Sequence, residues 1–404
     1  MSTSLLYHAF GLRGYRYLRT DYVEGEVLFS IEQSRESYCC SDCGSRKVIR
    51  HGDVPRPFRC VPIDSKPVTV VLAIPRLECK ECGLVRQAEV TFAEPRRSYT
   101  KGFARYVLEL SQHMTIQDVA RHLNVGWDLV KEIQRQDLER RFSRPPLKHL
   151  RQIAIDEICI GRGPRYLTVV LDLESGAVVF VGQGKSAAAR LPFWRRLRAA
   201  HAQIEAVAID LSKAYISAVQ TWCPRAEIVF DHFHIIKLMN EKLSDLRRQL
   251  YRQLTEDLPK DVLKGTRWLL LKNPENLDKD RDERARLDEA LRLNAPLATA
   301  YYLKEDLRQL WEQPNKQAAE NFLVRWYERA MASGIRQMQP LARTLAGHKM
   351  GLLAWYDYPI STGPLEGTNN KIKTMQRQAY GFRDQEFFIL KIYALHESKY
   401  ALVG

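Results

Sequence analysis

The stretch that decides the fold is RQIAIDEICIGRGPRYLTVVLDLESGAVVFVGQG, from Arg151 to Gly184. It contains three short runs rich in β-branched and aromatic residues, and turn residues separate them, as in ESG between the second and the third. Beyond this stretch, two helix-like and two strand-like runs alternate as far as Asp231. The resulting order β-β-β-α-β-α-β predicts hairpins first and then strands added in parallel through helices.

Carboxylates stand at the ends of two of these runs and on a later helix. Asp156 ends the first strand-like run, Asp210 ends the fourth, and Glu366 follows a long helical block. If the two strands are neighbours, the aspartates meet, and such a trio binds divalent metal through oxygen; two ions about 4 Å apart would serve phosphoryl transfer. Alternatively, each aspartate only caps the helix that follows it. The ordered set favours catalysis and matches the topology of RNase H-like polynucleotidyl transferases.

Asp231 ends the fifth strand-like run in VFDHFHIIK, with two histidines close behind it. It is a candidate for a further Mg²⁺ ligand or, alternatively, for the N-cap of the next helix. His234 is a possible accessory residue that orients a phosphate or a substrate water, although a histidine in this position is more often structural.

The segment GPLEGTNNKIK, from Gly363 to Lys373, predicts an amphipathic helix that begins with the acid Glu366. Ser361 or Thr362 can cap it, Pro364 suits its first turn, and Gly381 suits its end. At about 100° per residue, one face is apolar and the other is polar. The apolar face is formed by Leu365, Ile372, Met375 and Ala379. The polar face is formed by Glu366, Asn369, Asn370, Lys373 and Arg377. Besides the acid, three of its residues are predicted to hold the phosphate backbone of DNA: Asn370, Lys373 and Arg377. An ordinary solvated face would have a similar pattern.

Six of the chain's 8 cysteines lie between Cys39 and Cys82, and four of them form two CxxCG knuckles. The knuckles are CSDCG, with Cys40 and Cys43, and CKECG, with Cys79 and Cys82. Two such pairs can place four thiolates around one tetrahedral ion, so they predict a structural Zn²⁺ site without an open coordination position. Cys39 and Cys60 are expected to take no part in it, although Cys39 could compete with Cys40 for the ion.

The segment TIQDVARHLNVGWDLVKEIQRQDLERRF, from Thr115 to Phe142, predicts a helix-turn-helix with a turn at NVG. Its second helix can enter the major groove, and we expect Lys131 and Arg135 to be exposed and to bind DNA. An ordinary helical hairpin would have a similar pattern. Upstream zinc knuckles favour the DNA-binding interpretation.

The chain has 404 residues, a formal net charge of +14 and a pI of about 9.4. This charge attracts polyanions, of which nucleic acid is the commonest. No signal peptide or apolar run long enough for a membrane span is evident, so we expect no membrane partner and a cytoplasmic location at the nucleoid.

The predicted fold class is α/β multidomain: a zinc ribbon, a helix-turn-helix and an RNase H-like mixed sheet with a large α-helical insertion. The predicted domains are a zinc-ribbon module at 1–95, a helix-turn-helix at 96–144, a first core part at 148–236, a helical insertion at 237–355 and a second core part at 356–404.

Taken together, these motifs resemble the DDE transposases of bacterial insertion sequences, specifically the ISL3 family. The most specific stretches are VFDHFHIIKLMN and STGPLEGTNNKIKTMQRQAYGFRD. By motif position, the resemblance assigns the catalytic acids to Asp156, Asp210 and Glu366. It implies Mg²⁺ as cofactor, binding of terminal inverted repeats and target DNA, hydrolysis at each end to leave a 3′-hydroxyl, and joining of that hydroxyl to target DNA. Cutting and joining two ends implies a homodimer in the active complex.

Two other functions fit part of the sequence. A zinc-ribbon and helix-turn-helix regulator without catalysis would explain the first 144 residues, but neither the three acids nor the large core. A structure-selective nuclease on an RNase H-like scaffold would share the acids, but it would lack strand joining and specificity for inverted repeats.

Overall fold

The computed structural model describes residues 5–161, 163, 165–253 and 266–397. The chain divides into two compact units. The N-terminal unit comprises residues 1–143, 374–391 and 397–404, and the core unit comprises residues 144–373 and 392–396. The finer domain boundaries predicted above stay predictions.

The secondary structure follows the predicted order. The strands are β1 Tyr15–Val23, β2 Glu26–Gln33, β3 Val48–Ile63, β4 Lys66–Cys79, β5 Val85–Gln87, β6 Gln152–Cys159, β7 Tyr166–Asp172, β8 Val178–Gln183, β9 Ala206–Ile209 and β10 Glu227–Phe230. The described α-helices are α1 Leu5–Phe10, α2 Lys101–Leu110, α3 Ile116–Leu123, α4 Trp127–Phe142, α5 Ala187–Ala199, α6 Lys213–Trp222, α7 His232–Gln253, α8 Arg267–Leu271, α9 Glu283–Arg292, α10 Ala295–Arg308, α11 Lys316–Ala332, α12 Met338–Gly347, α13 Lys349–Leu353, α14 Gly363–Gln378 and α15 Gln385–Tyr393.

A five-stranded sheet in the order β1-β2-β4-β3, with β5 paired to β4, forms the β part of the N-terminal unit. Strands β3 and β4 form a long antiparallel hairpin, whose turn contains Asp64 with a positive φ of 54°. One face of the hairpin is apolar and buried, with Phe58, Val70 and Leu72 at 1% exposure or less. This face anchors the hairpin, while its far end carries the cysteine knuckles.

Helices α3 and α4 form the predicted helix-turn-helix. The Thr115 hydroxyl caps α3 by accepting a hydrogen bond from the Asp118 amide at 3.1 Å, and the left-handed Asn124 ends it. The two helices share a core with α2, and Phe387 of α15, only 2% exposed, belongs to that same core. The helix-turn-helix prediction is confirmed, and a C-terminal residue completes its packing.

The core unit contains the predicted mixed sheet. Its strand order is β10-β9-β6-β7-β8, in which β6, β7 and β8 are antiparallel neighbours. Strand β9 is parallel to β6, and β10 is parallel to β9. This arrangement is the predicted RNase H-like topology, with the last two strands added through α5 and α6.

Helices α7 to α13 form the helical insertion between β10 and α14. Met239, Leu243 and Leu246 line the buried face of α7, and no strand follows Phe230 in the described residues. Trp326, which is fully buried, donates its indole N–H to the Leu303 carbonyl at 2.8 Å. Part of the predicted helical block, residues 254–265, lies outside the described residues.

The predicted amphipathic helix is α14, which covers Gly363–Gln378. Leu365, Ile372 and Met375 are buried, with exposures of 0–1%. Ser361 Oγ accepts a hydrogen bond from the Gly363 amide at 3.2 Å. Tyr380 and Gly381, with φ angles of 51° and 99°, end the helical course in the left-handed region that favours glycine. The apolar face fixes which side of α14 is left for polar residues.

Candidate active site and metal centres

Three aspartates lie level with one another on neighbouring parallel strands. The register pairs Ala154 with Ala208, so two residues further on Asp156 of β6 stands beside Asp210. Phe230 pairs with Ile209, so the next residue, Asp231, also stands beside Asp210. Because neighbouring strands are about 4.8 Å apart, the row from Asp156 to Asp231 spans roughly 10 Å. The sheet therefore brings together all three predicted aspartates.

Asp156 is held by two hydrogen bonds. Its Oδ1 accepts the Glu157 amide at 2.7 Å, and its Oδ2 accepts the side-chain amide of Asn369 at 2.9 Å. Burial raises the pKa of Asp156, and the negative charge of Asp210 adds to the rise. Asp210 accepts the Ser212 amide at 2.9 Å. A bound cation would offset this rise and stabilise the Asp156 carboxylate.

Asp231 is almost completely buried and has two side-chain partners. Its Oδ2 accepts the Thr362 hydroxyl at 2.8 Å and lies 3.0 Å from His234 Nδ1. Burial opposes ionisation of Asp231, but the hydrogen bonds from His234 and Thr362 outweigh it and lower the pKa of the carboxyl. The same bond to Asp231 raises the pKa of His234, and the charges of Asp156 and Asp210 add to this rise. The negative charges of the aspartate row therefore favour the protonated form of His234.

Glu366 is exposed on the first turn of α14. Its amide donates to the Thr362 carbonyl at 2.8 Å, while its carboxylate has no hydrogen-bond or ion-pair partner in the described part of the chain. Asn369 lies one turn later on the same face and bonds to Asp156, so α14 lies against the row of aspartates. We call the four acids, namely Asp156, Asp210, Asp231 and Glu366, the carboxylate site.

The donor set of the carboxylate site suits a hard divalent cation. Carboxylate and amide oxygens are the ligands that Mg²⁺ prefers. Two nearby oxygens, Asp231 Oδ1 and Asn369 Oδ1, are buried without a hydrogen-bond partner among the described residues. Among those residues, only the four knuckle cysteines bring three or more candidate ligand atoms within 4.8 Å of one another. The carboxylates therefore form an open arrangement, as a site that must also accept substrate oxygens requires.

The four-cysteine site consists of Cys40, Cys43, Cys79 and Cys82, whose sulfur atoms all lie within 4.8 Å of one another. The Sγ atoms are 3.6 Å apart in the pair Cys40–Cys82 and 3.5 Å apart in the pair Cys43–Cys79. A tetrahedron with Zn–S bonds of about 2.3 Å has edges of about 3.8 Å, so these thiols fit zinc. Cys39 and Cys60 lie outside the cluster, as predicted.

The two knuckles have the same backbone structure. Gly44 and Gly83 have φ angles of 73° and 70°, and each donates its amide to the carbonyl four residues earlier, at 3.0 Å in both cases. These left-handed turns are why glycine follows each CxxC. The amides of Cys82 and Glu81 lower the pKa of Cys79 to about 7, which favours the thiolate that binds zinc.

The residues predicted to bind DNA have different environments. Asn370, Lys373 and Arg377 are exposed on α14. The prediction that Lys131 and Arg135 are exposed is wrong: their side chains are only 24% and 22% exposed, and both form ion pairs with Asp384. The sequence could not indicate this partner, because it lies 249 residues beyond Arg135. At the start of α4, Trp127 and Asp128 are exposed instead.

Several residues that contact the site were not predicted from the sequence to belong to it. Thr362 and Asn369 connect α14 to the aspartates. The place of Asn369 at the site could have been inferred from the sequence, since it follows Glu366 by three residues and therefore lies on the same helix face. Tyr215 donates its hydroxyl to Glu157 at 2.9 Å, and Arg190, 3% exposed, lies 4.3 Å over the Tyr215 ring. This network supports β6 beside Asp156, and no spacing in the sequence indicates it. The prediction that Asp156 ends its strand is wrong, because β6 continues to Cys159 while it pairs with β7.

An RNase H-like sheet, a row of aspartates and a helix-borne glutamate define a class of enzyme. It is the class that acts on the phosphodiester bonds of nucleic acids with the help of divalent metal. Family comparisons agree. A profile described as "Transposase", of the DDE type of ISL3, matches residues 153–392. A profile for the "Helix-turn-helix domain of transposase family ISL3" matches residues 88–136, and one for the "zinc-finger of transposase IS204/IS1001/IS1096/IS1165" matches residues 36–82.

The chain belongs to the ISL3 family of DDE transposases. It is 36% identical over 392 residues to the transposase for insertion sequence element IS1001 of Bordetella parapertussis, covering 95% of this chain and 96% of that relative. It is 29% identical to the transposase for IS1557 of Mycobacterium tuberculosis, and the match covers 87% of this chain and 84% of that relative. The solved "Drosophila P element transposase strand transfer complex" overlaps with a TM-score of 0.37 and 10% identity, covering 74% of this chain and 93% of that chain.

The protein is therefore a DNA transposase, an enzyme that cleaves and joins DNA. A DDE transposase uses a divalent metal such as Mg²⁺, and the zinc-ribbon match together with the four-cysteine site identifies structural Zn²⁺ as the second metal. The helix-turn-helix makes DNA its partner. None of the described helices is long and apolar enough to span a bilayer.

Proposed function

We propose that Asp156, Asp210 and Glu366 are the catalytic acids that hold the divalent cation of this transposase. The observation that carries the proposal is the 2.9 Å hydrogen bond from Asn369 to Asp156, since it ties the helix of Glu366 to the strand of the first aspartate. Asp231 is the further metal-binding candidate. Its Oδ2 is already bonded to Thr362 and His234, so only Oδ1 is left for a cation.

The chemistry divides between the cation and the chain. When bound, the cation polarises the scissile phosphate and stabilises the charge that develops on the attacking and leaving oxygens. The three acids orient it through their oxygens. His234, held by Asp231, has a raised pKa, and its accessory role is to contact a phosphate oxygen or orient the attacking water.

The substrate is the terminal inverted repeat of the insertion sequence that encodes the chain. Water breaks a phosphodiester at each end and leaves a 3′-hydroxyl, which then attacks a target phosphodiester and forms the new joint. Exposed Asn370, Lys373 and Arg377 bind the backbone phosphates. Lys131 and Arg135 are paired with Asp384, so their contribution to end binding is to hold α4 in position. Joining two ends requires two chains, so the active complex is a homodimer at the nucleoid, in the cytoplasm.

The test uses purified protein, Mg²⁺ and a labelled duplex that carries the element end. Asp156→Ala, Asp210→Ala and Glu366→Ala should each lower cleavage and joining on the order of 10³-fold, since each removes a metal-binding oxygen, and should leave end binding intact. Glu227→Gln is the matched control, because it alters an exposed acid at the start of β10. Cleavage at the wild-type rate in any of the three alanine variants would remove that residue from the set.

The same assay separates a transposase from a structure-selective nuclease. We expect labelled ends to become joined to a target plasmid, and cleavage to require the inverted-repeat sequence. Cleavage without joining, or with equal rates on scrambled ends, would contradict the proposed substrate. Sedimentation of the protein–end complex should give a mass with two chains; a single chain per cleaving complex would rule out the homodimer.

A further inference from the structure

Two side chains of the α14 segment donate hydrogen bonds to two different acids of the sheet. Thr362, at the entrance of the helix, bonds to Asp231 at 2.8 Å, and Asn369 bonds to Asp156 at 2.9 Å. Both donors are buried, with 2% and 6% of their surface exposed. Their acceptors lie on β6 and immediately after β10, the two strands on either side of β9. The helix is thus fastened at two points on opposite sides of one strand.

The spacing of the two donors matches the spacing of the two acceptors. Seven residues separate Thr362 from Asn369, which corresponds to a rise of about 10 Å and a net rotation of only about 20° in an α-helix. Two strand spacings, from β10 across β9 to β6, also amount to roughly 10 Å. One helix can therefore reach both acids with a single face.

Glu366 lies between the two fastened positions. It follows Thr362 by four residues and precedes Asn369 by three, so all three side chains share one face of the helical course. The strand between the two acceptors is β9, and Asp210 follows its last residue. Fastening the helix on both sides therefore places Glu366 over the strand end that carries Asp210.

We propose that Thr362 and Asn369 are positioning residues that hold the helix of Glu366 across the row of aspartates. This inference rests on the proposed function of Glu366. Neither residue needs to contact DNA. Each fixes the helix, and with it the distance between Glu366 and the aspartates.

The test compares isosteric and conservative variants. Thr362→Val removes the hydroxyl donor and keeps the shape, Thr362→Ser keeps the donor, and Asn369→Leu removes the amide. Thr368→Val is the matched control, because the Thr368 hydroxyl donates only to the Pro364 carbonyl of its own helix, at 3.0 Å. Cleavage rates, the KM for end DNA, and hydrogen exchange of the amides at 363–373 are measured for each full-length variant.

We expect Thr362→Val and Asn369→Leu to lower kcat by 10- to 100-fold, with the KM for end DNA unchanged within about twofold. Amides of α14 should exchange at least tenfold faster, while β6 to β8 keep their protection. Thr362→Ser should restore kcat to within about threefold of wild type, and Thr368→Val should match wild type in every measurement.

Wild-type kcat in both Thr362→Val and Asn369→Leu, with Glu366→Ala inactive, would overturn the positioning role and leave the proposed function standing. An active Glu366→Ala would instead remove the proposed function. If one of these two variants proves too unstable to assay, the other still decides: faster exchange of the α14 amides together with wild-type kcat would contradict the inference.

Discussion

The four-cysteine site and the carboxylate site, which is proposed to hold the catalytic cation, are built in different ways. Each half of the four-cysteine site forms within five residues of chain, in a knuckle whose backbone amides and left-handed glycine set the positions of both thiols. The carboxylate site combines aspartates from three neighbouring strands of the sheet with an exposed helical acid. Its members are held by hydrogen bonds such as Asn369 to Asp156, across 213 residues of sequence.

This difference corresponds to different tasks. A structural ion needs a closed set of ligands, and thiolates within 4.8 Å of one another provide it. A catalytic ion must also accept substrate oxygens, so the acids proposed to hold it must leave part of its coordination sphere free. The first site should therefore control whether the N-terminal fold exists, and the second should control the reaction rate with little effect on folding.

The largest effect that would test this comparison is loss of zinc. Cys79→Ser removes a ligand of a site whose metal is worth about 10 kcal/mol or more in small zinc domains, so the knuckle end of the β3–β4 hairpin should unfold. End binding should fall toward its nonspecific level, on the order of 10³-fold. Zinc content, DNA binding and tryptophan fluorescence are measured together; every tryptophan except Trp127 lies in the core unit.

Cys39→Ser serves as control, since Cys39 stands beside the cluster but outside it. It should keep zinc and end binding. A Cys79→Ser chain that retains tight zinc, or one whose core fluorescence collapses, would contradict the separation of the two metal centres.

A smaller effect should follow from Gly351→Ala in α13, which should destabilise the core unit and leave the zinc site intact. The new Cβ would overlap the Phe230 ring and lie 3.0 Å from the Ile228 carbonyl oxygen, so it crowds the strand that precedes Asp231. We expect the core unit to lose about 2 kcal/mol of unfolding free energy, with zinc content unchanged. Urea titration followed by tryptophan fluorescence measures this loss.

Gly347→Ala is the matched helical control, because a Cβ there meets no atom within 4 Å. It should change stability by less than about 1 kcal/mol. Equal stability of the two variants would contradict the close packing of Gly351 against Phe230 and Ile228 of β10.

The smallest effect concerns the ion pairs within the helix-turn-helix core. Burial opposes ionisation of Asp384, but the Phe387 amide, Lys131 and Arg135 together lower its pKa. A carboxyl whose folded pKa is depressed stabilises the fold above its unfolded pKa, near 4, and this contribution is lost as the pH falls through the folded value. Asp384→Asn should therefore cost about 1 kcal/mol at pH 7, measured as faster hydrogen exchange in α4.

The difference in opening free energy of the α4 amides between wild type and Asp384→Asn, measured by hydrogen exchange, is the gap to follow. It should stay constant from pH 8 to about 5 and shrink below about 4. Acid releases zinc from both proteins alike, so the gap itself is the quantity to follow. Glu386→Gln, whose acid is 84% exposed and 3.7 Å from Arg135, should show no gap. A gap that persists in acid would exclude charge as its origin.

Sequence reasoning succeeded where the determinants are local or periodic. The cysteine knuckles are read from five-residue motifs, and the strand order follows from alternating patterns, so Asp156 and Asp210 could be expected on neighbouring strands. The side-chain pairs that involve Asn369, Thr362 and Asp384 could not be predicted, because their partners lie 131 to 253 residues away. For the same reason, Lys131 and Arg135 were wrongly expected to be exposed: the helix pattern indicates which face is polar, but not which acid pairs with it.

The burial of Phe387 in the helix-turn-helix core has a genetic consequence. Translation reaches this residue only after the sheet, the insertion and Glu366 have been made. A chain cut short by a stop codon before α15 would lack a core side chain of its DNA-reading helices, and one cut short before α14 would lack the last acid as well. We expect such fragments to be poor competitors for the ends of the element, so truncated copies in a genome would interfere little with an intact one.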